Sequence, residues 1–168
     1  MKKTLIVLAL VVLAIVPVAA KGSFGVGLEL GSPVGATFNY DFKGTKVDWE
    51  GYTTVGFGFI GGNNIDAVFG AQVKVVDFQI SKAKFDVKVG AQAGLLVTLG
   101  ESTTFGMSAR GTVALSYDWL WKNVGNFTAY LRLAPGVKLT FSGGGVSPAF
   151  NFAGALGLVY HFGNPSLV

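Results

Sequence analysis

The chain has 168 residues, of which 13% are charged, together with 25 glycines, 14 phenylalanines and a formal net charge of +4. Soluble domains usually carry ~25% charged residues, so this composition argues against an ordinary water-facing surface. The Lys and Arg residues form no basic run or face, which disfavours nucleic acid as a partner. The absence of cysteine excludes a disulfide framework and lipid attachment to a mature N-terminal cysteine.

The first twenty residues are typical of a secretory signal peptide. Lys2 and Lys3 precede the apolar run Leu5–Val16, and small residues follow up to Ala20. This run is too short for a membrane-spanning helix, which needs ~20 apolar residues. We therefore predict a cleaved signal peptide at residues 1–20 and a single mature domain at residues 21–168.

The mature chain alternates apolar residues with small or polar ones, which is the side-chain period of β-strands. Turn-forming Gly, Pro and Asn residues interrupt the alternation at short intervals. In chain order, the pattern predicts strands over residues 23–31, 35–42, 54–59, 67–76, 85–99, 105–119, 127–141 and 149–162. The predicted fold class is therefore all-β, an up-and-down antiparallel barrel of about eight strands.

Two residues interrupt this regular pattern. Tyr52 is an aromatic residue out of phase with the apolar face of the third strand, so we expect a bulge or a strand start nearby. Pro135 has no backbone N–H to donate, so we expect a bulge or kink in the seventh strand.

The two strand faces differ in a way that separates a transmembrane barrel from a soluble one. One face carries mainly Gly, Ala, Ser, Thr and Asn, which suit the narrow interior of an eight-stranded barrel. The other face is bulky, and its aromatic residues gather near strand ends, as in the girdles at membrane interfaces. These aromatics are Phe24, Phe42, Trp49, Phe59, Phe85, Phe105, Tyr117, Trp119, Phe127, Phe141, Phe150, Tyr160 and Phe162. The alternative is a secreted lipocalin-like barrel that binds a lipophilic ligand, although such a barrel would carry charged outward faces.

The last strand, Ala149–Phe162, ends in Gly157-Leu158-Val159-Tyr160-His161-Phe162. Gly157, Tyr160 and Phe162 resemble the assembly signal on the closing strand of small bacterial outer-membrane barrels, the OmpA- and OmpX-like domains. The resemblance implies location in the outer membrane after export, contact with outer-membrane lipid, and recognition by the barrel-assembly machinery. It also implies that both chain ends lie on the periplasmic side, with the connections at 31–35, 61–64, 100–102 and 142–148 facing outward.

Nine charged residues fall on the face predicted to line the lumen, the interior of the barrel. They are Glu29, Asp41, Lys74, Asp86, Lys88, Arg110, Asp118, Arg132 and Lys138. Because single charges are costly to bury, we predict an ion-pair network, with Arg110 and Arg132 compensated by Asp86 and Asp118. Two functions remain open: an envelope protein whose lumen is filled by this network, or a narrow gated pore for small solutes.

The single histidine, His161, raises the question of catalysis, because some outer-membrane barrels are hydrolases with a Ser–His pair. The chain has no G-x-S-x-G motif, and the sequence identifies no carboxylate to orient His161. One histidine without cysteine makes a metal site unconvincing. We therefore predict neither an enzyme nor a bound cofactor.

Overall fold

The computed structural model describes residues 22–43, 47–57, 64–99, 103–122, 124–142 and 145–162, and the predicted signal peptide lies outside these ranges. Eight strands follow one another: β1 Gly22–Gly31, β2 Gly35–Lys43, β3 Asp48–Phe57, β4 Asn64–Ile80, β5 Ala83–Thr98, β6 Thr104–Trp121, β7 Gly125–Ser142 and β8 Gly145–Phe162. Each strand pairs antiparallel with its neighbours in sequence, and β8 pairs with β1 to close the barrel. The predicted all-β, eight-stranded, up-and-down fold is confirmed. Within the described ranges, no helix is long and apolar enough to cross a membrane.

The strands are tilted relative to the barrel axis. Starting at Val26 and stepping across paired residues from β2 to β8, one arrives at Phe150. The β8 residue that pairs with Val26 is Tyr160, ten residues further along the strand. A stagger of this kind requires tilted strands, typically by ~35–45° in closed barrels. The tilt brings together lumen-facing residues that are far apart in sequence.

The barrel wall is not equally tall all round. Strands β1 to β3 have 9 or 10 residues, whereas β4 to β8 have 16 to 18. The start of β1, the end of β8 and the turn Ser81–Lys82 between β4 and β5 lie at one end of the barrel, which we call the terminal end. The β1–β2 turn, with its cis Ser32–Pro33 peptide bond, lies at the opposite end.

Of the two alternatives predicted near Tyr52, the bulge is absent and the strand start lies four residues earlier, at Asp48. Strand β3 begins at Asp48 and pairs in one register with β2 and β4 on either side. Tyr52 points into the lumen and is 3% exposed. Its ring lies over Gly70, where an added Cβ would approach Tyr52 Cζ to 2.2 Å. The missing side chain at Gly70 therefore leaves room for an inward-pointing tyrosine.

The β7 register also passes Pro135 without a bulge. Pairing with β6 continues in the same register from Arg110–Gly136 to Val113–Leu133, and Pro135 itself is paired with β8. An irregularity occurs instead in β4, where the register with β5 shifts between Lys74 and Val76. Because of this shift Val76, predicted to face inward, is exposed on the outside.

The distribution of polarity is the reverse of that in a water-soluble barrel. Fourteen of the buried residues are polar or charged, including Glu29, Glu50, Arg110 and Arg132. Thirty large apolar side chains are exposed on the described strands and turns, from Leu28 on β1 to Phe162 on β8. The core of this protein is thus a polar lumen inside an apolar wall.

Candidate functional site

A cluster of charged and aromatic side chains fills the middle of the lumen, and we call it the central plug: Glu29, Tyr52, Thr54, Tyr130 and Arg132. Arg132 Nη2 and the Tyr130 hydroxyl both donate to Glu29 Oε2, and Thr54 Oγ1 donates to the same atom over 3.2 Å. The Arg132 guanidinium lies 3.8 Å from the Tyr52 ring centroid and 4.9 Å from that of Tyr130. The space beside Glu29 and Arg132 is too small to hold a water molecule. The plug therefore occupies this section of the lumen.

A second buried ion pair lies beside the plug. Lys88 Nζ is 2.5 Å from Glu50 Oε2, and the other Glu50 oxygen accepts from Asn39 Nδ2 over 2.7 Å and from Gln72 Nε2 over 3.3 Å. Glu50 was not predicted, because it lies in the connection between the predicted strands 35–42 and 54–59. The signal was present, since Glu50, Tyr52, Thr54 and Gly56 continue the alternation of one strand face.

His161 occupies the lumen at the terminal end. Asp41 Oδ2 lies 3.3 Å from its Nδ1, and Thr128 Oγ1 lies 2.9 Å from its Nε2. Thr128 donates its hydroxyl hydrogen bond to Asp118 over 2.6 Å, so towards His161 it can only accept a hydrogen bond, from Nε2–H. A carboxylate beside His161 does exist, contrary to the expectation from sequence, because β2 brings Asp41 next to β1 and the β1–β8 closure brings His161 there.

The surroundings of His161 do not form a hydrolase triad. Such a triad needs the nucleophile and the carboxylate on opposite ring nitrogens. Here Ser23 Oγ lies 3.4 Å from Nδ1, the same nitrogen that faces Asp41, and Ser23 donates to Asp41 over 3.0 Å. Thr128, on the other nitrogen, is buried and already donates its hydroxyl hydrogen bond to Asp118. Among the described residues, this arrangement holds the histidine by hydrogen bonds and places neither hydroxyl as a triad nucleophile.

The predicted arginine pairings are wrong. Arg132 pairs with Glu29 across the lumen. Arg110 Nε donates to Asn151 Oδ1 over 2.6 Å, and no carboxylate of the described residues lies within ion-pair distance of Arg110. Lys74 lies 3.9 Å from Asp86 and 3.7 Å from Asp48. All nine charged residues named from the sequence do lie on the lumen side of the wall, together with Glu50 and Asp66, which were missed.

A polar cavity of about 180 Å³ lies at the end opposite the terminal end, beyond the plug. Arg110, Lys138, Asp66, Ser108 and Asn151 line it. Among the described residues, no group of His, Cys, Asp or Glu side chains has the arrangement of a metal site.

The outer wall at the terminal end carries a nearly continuous aromatic belt. Neighbouring rings contact one another with centroids 4.8 to 6.2 Å apart, in the order Phe24, Phe162, Tyr160, Phe127, Trp119, Tyr117, Phe85 and Phe78. Phe42 and Trp49 stack at 3.8 Å on β2 and β3. At the opposite end the described residues provide one ring contact, Phe105 with Phe141 at 5.9 Å.

The residues of the predicted assembly signal lie on both faces of β8, the outer face and the lumen face. Tyr160 and Phe162 point outward as members of the aromatic belt. Gly157 faces the lumen, where an added Cβ would approach Tyr130 Cζ to 2.1 Å. Gly157 therefore has a packing role beside the central plug, which the sequence alone did not reveal.

The chain matches no family model, no curated protein and no solved structure. Its resemblance to the OmpA- and OmpX-like barrels stays a prediction.

Proposed function

We propose that this chain is an integral outer-membrane β-barrel protein with a structural role in the cell envelope and a closed lumen. The observation that carries the proposal is the inside-out distribution of polarity. Thirty large apolar side chains are exposed, whereas soluble monomers rarely expose contiguous apolar patches beyond a few hundred Å². Lipid acyl chains are the surroundings that stabilise such a surface.

The dimensions of the wall suit a bilayer. A transmembrane strand needs ~9–11 tilted residues, a length that β1 to β3 just reach and β4 to β8 exceed. Aromatic side chains favour the membrane–water interface, which accounts for a belt at one level of the outer wall. The belt then marks the interface at the terminal end, which is the periplasmic side in the orientation of the resembled family.

The lumen favours a structural role over the two alternatives. A pore requires a continuous path, and the Glu29–Arg132 pair with its two tyrosines occupies the middle of the lumen, which supports a closed lumen over a pore. A lipocalin-like carrier requires an apolar cavity, whereas the interior here holds buried ion pairs and amides. Filling the lumen with such bonds links strands across the barrel, which suits a rigid envelope component.

Cell fractionation tests this proposal. The full chain, expressed in a bacterium that has an outer membrane, is expected in the outer-membrane fraction and resistant to urea extraction. It is also expected to migrate differently on gels before and after boiling, and to show no conductance in planar bilayers. A monomer that is soluble in the periplasm without detergent would refute the membrane assignment, and stepwise wild-type conductance would refute the closed lumen.

A further inference from the structure

The cavity of about 180 Å³ beyond the central plug has a charge distribution unlike the rest of the lumen, and we call it the upper chamber. The other lumenal cations each have a carboxylate partner: Arg132 with Glu29, Lys88 with Glu50, and Lys74 with Asp48 and Asp86. Arg110 and Lys138, which line the upper chamber, form no ion pair with any described residue.

Arg110 is the unusual member of the chamber. It is 8% exposed, and its single side-chain hydrogen bond among the described residues runs from Nε to Asn151 Oδ1. Its Nη1 is buried without a hydrogen-bond partner. A buried guanidinium donor is stabilised by a hydrogen-bond acceptor, and the polar chamber beside Arg110 has room for one.

The remaining lining residues indicate which acceptor fits. Lys138 adds a second positive charge, and Ser108 and Asn64 add hydrogen-bond donors. Asp66 also lines the chamber, but lies beyond ion-pair distance of both cations and cancels only one of the two charges. The chamber is therefore net positive, with donors that converge from β4, β6 and β7.

We propose that the upper chamber binds a small soluble oxyanion through a carboxylate or phosphate group, with Arg110 as the main contact and Lys138 as the second. A planar guanidinium presents paired N–H donors that match these groups. The chamber lies inside the wall, so we expect the ligand to arrive from the aqueous phase and not from the lipid. This inference uses the lumen geometry alone and goes beyond the proposed envelope role.

Titration with inorganic phosphate tests the inference. Wild-type protein in phosphatidylcholine vesicles, held at constant ionic strength, is expected to bind phosphate saturably in the millimolar range or tighter by calorimetry. Arg110→Gln is expected to weaken binding at least ~10-fold, because a hydrogen bond to a charged group is lost. Lys138→Gln should weaken it by a smaller factor. Lys84→Gln, at the exposed start of β5 next to the β4–β5 turn, is the matched control and should bind like wild type.

Folding is checked on the same samples by heat-modifiable migration on gels. If Arg110→Gln does not fold, two other results test the proposal. Lys138→Gln should bind phosphate more weakly than wild type, and phosphate should raise the unfolding temperature of wild type. The proposal is overturned if wild-type protein shows no saturable binding. It is equally overturned if folded Arg110→Gln and Lys138→Gln both bind like wild type, or if an effect appears only with phosphatidylglycerol in the vesicles.

Discussion

Arg132 on β7 donates a hydrogen bond to Glu29 on β1, and both side chains are 2% exposed. The two strands are not neighbours, because β8 lies between them in the sheet. The pair thus links strands on both sides of the closing strand. Tyr130 donates to the same Glu29 oxygen, and Tyr52 on β3 covers the guanidinium, so the contact also reaches the far wall.

Removing Arg132 is expected to be severely destabilising. Arg132→Ala leaves the buried Glu29 carboxylate without its cation, which typically costs ~3–5 kcal/mol of unfolding free energy. Its neighbour Leu131 is outward and exposed, so Leu131→Ala loses mainly lipid contact and should cost less. Leu131→Arg places a charge against acyl chains and should cost ~2–4 kcal/mol near the midplane. Urea unfolding in lipid vesicles measures all three variants.

The double variant that carries both Glu29→Gln and Arg132→Met is the control for this series. It removes both charges, so no unpaired charge remains and the loss should be smaller than in Arg132→Ala. If Arg132→Ala were no more destabilising than Leu131→Ala, the ion pair would not stabilise the plug.

Gly157 is expected to tolerate no side chain. Gly157→Ala would place a Cβ 2.1 Å from Tyr130 Cζ and must displace the ring that donates to Glu29. Overpacking of this kind typically costs ~1–3 kcal/mol. Gly111→Ala is the matched control, because nothing lies within 4 Å of its added Cβ.

Refolding of both glycine variants from urea into vesicles, without any assembly machinery, separates packing from assembly. A lower unfolding free energy for Gly157→Ala under these conditions supports the packing role. If Gly157→Ala were as stable as wild type in vitro but inserted poorly into the membrane in cells, Gly157 would act in the assembly signal alone.

The three tryptophans are expected at one shallow membrane depth. Trp49, Trp119 and Trp121 all lie near the terminal end, where the aromatic belt runs. Because such residues favour the interface, lipids brominated near the headgroup should quench tryptophan emission more than lipids brominated deep in the acyl chain. The opposite order of quenching would show that the belt does not lie at an interface.

The fold could be predicted well because side chains alternate between the two faces along each strand, and this alternation can be read from the sequence of one strand. The alternation along β5 to β8 needs no knowledge of the partner strand, and it assigned outward Leu131 and inward Arg132 correctly. Tyr52 was misread because its aromatic ring was assumed to point outward. Its inward position depends on the cross-strand neighbour Gly70, which is eighteen residues away in sequence.

The partners within the lumen could not be predicted in the same way. Which residues meet across the interior depends on the ten-residue stagger of the closed barrel, a property of all eight registers together. Arg132 was therefore assigned to carboxylates on the nearest strands in sequence, although the stagger places Glu29 beside it. The same holds for Asp41 and His161, which meet only because β1 closes against β8.

Nitroxide accessibility in vesicles tests the central claim, that the apolar wall faces lipid, most directly. The chain has no cysteine, so single cysteines can be labelled at outward positions Val113, Leu115 and Leu133, and at Lys82 in the exposed β4–β5 turn. We predict that labels at the three wall positions collide more with oxygen, which concentrates in acyl chains, than with a water-soluble nickel chelate. The label at Lys82 should show the reverse preference. If Val113, Leu115 and Leu133 were as accessible to the nickel chelate as Lys82, the wall would face water and the membrane-barrel account would be contradicted.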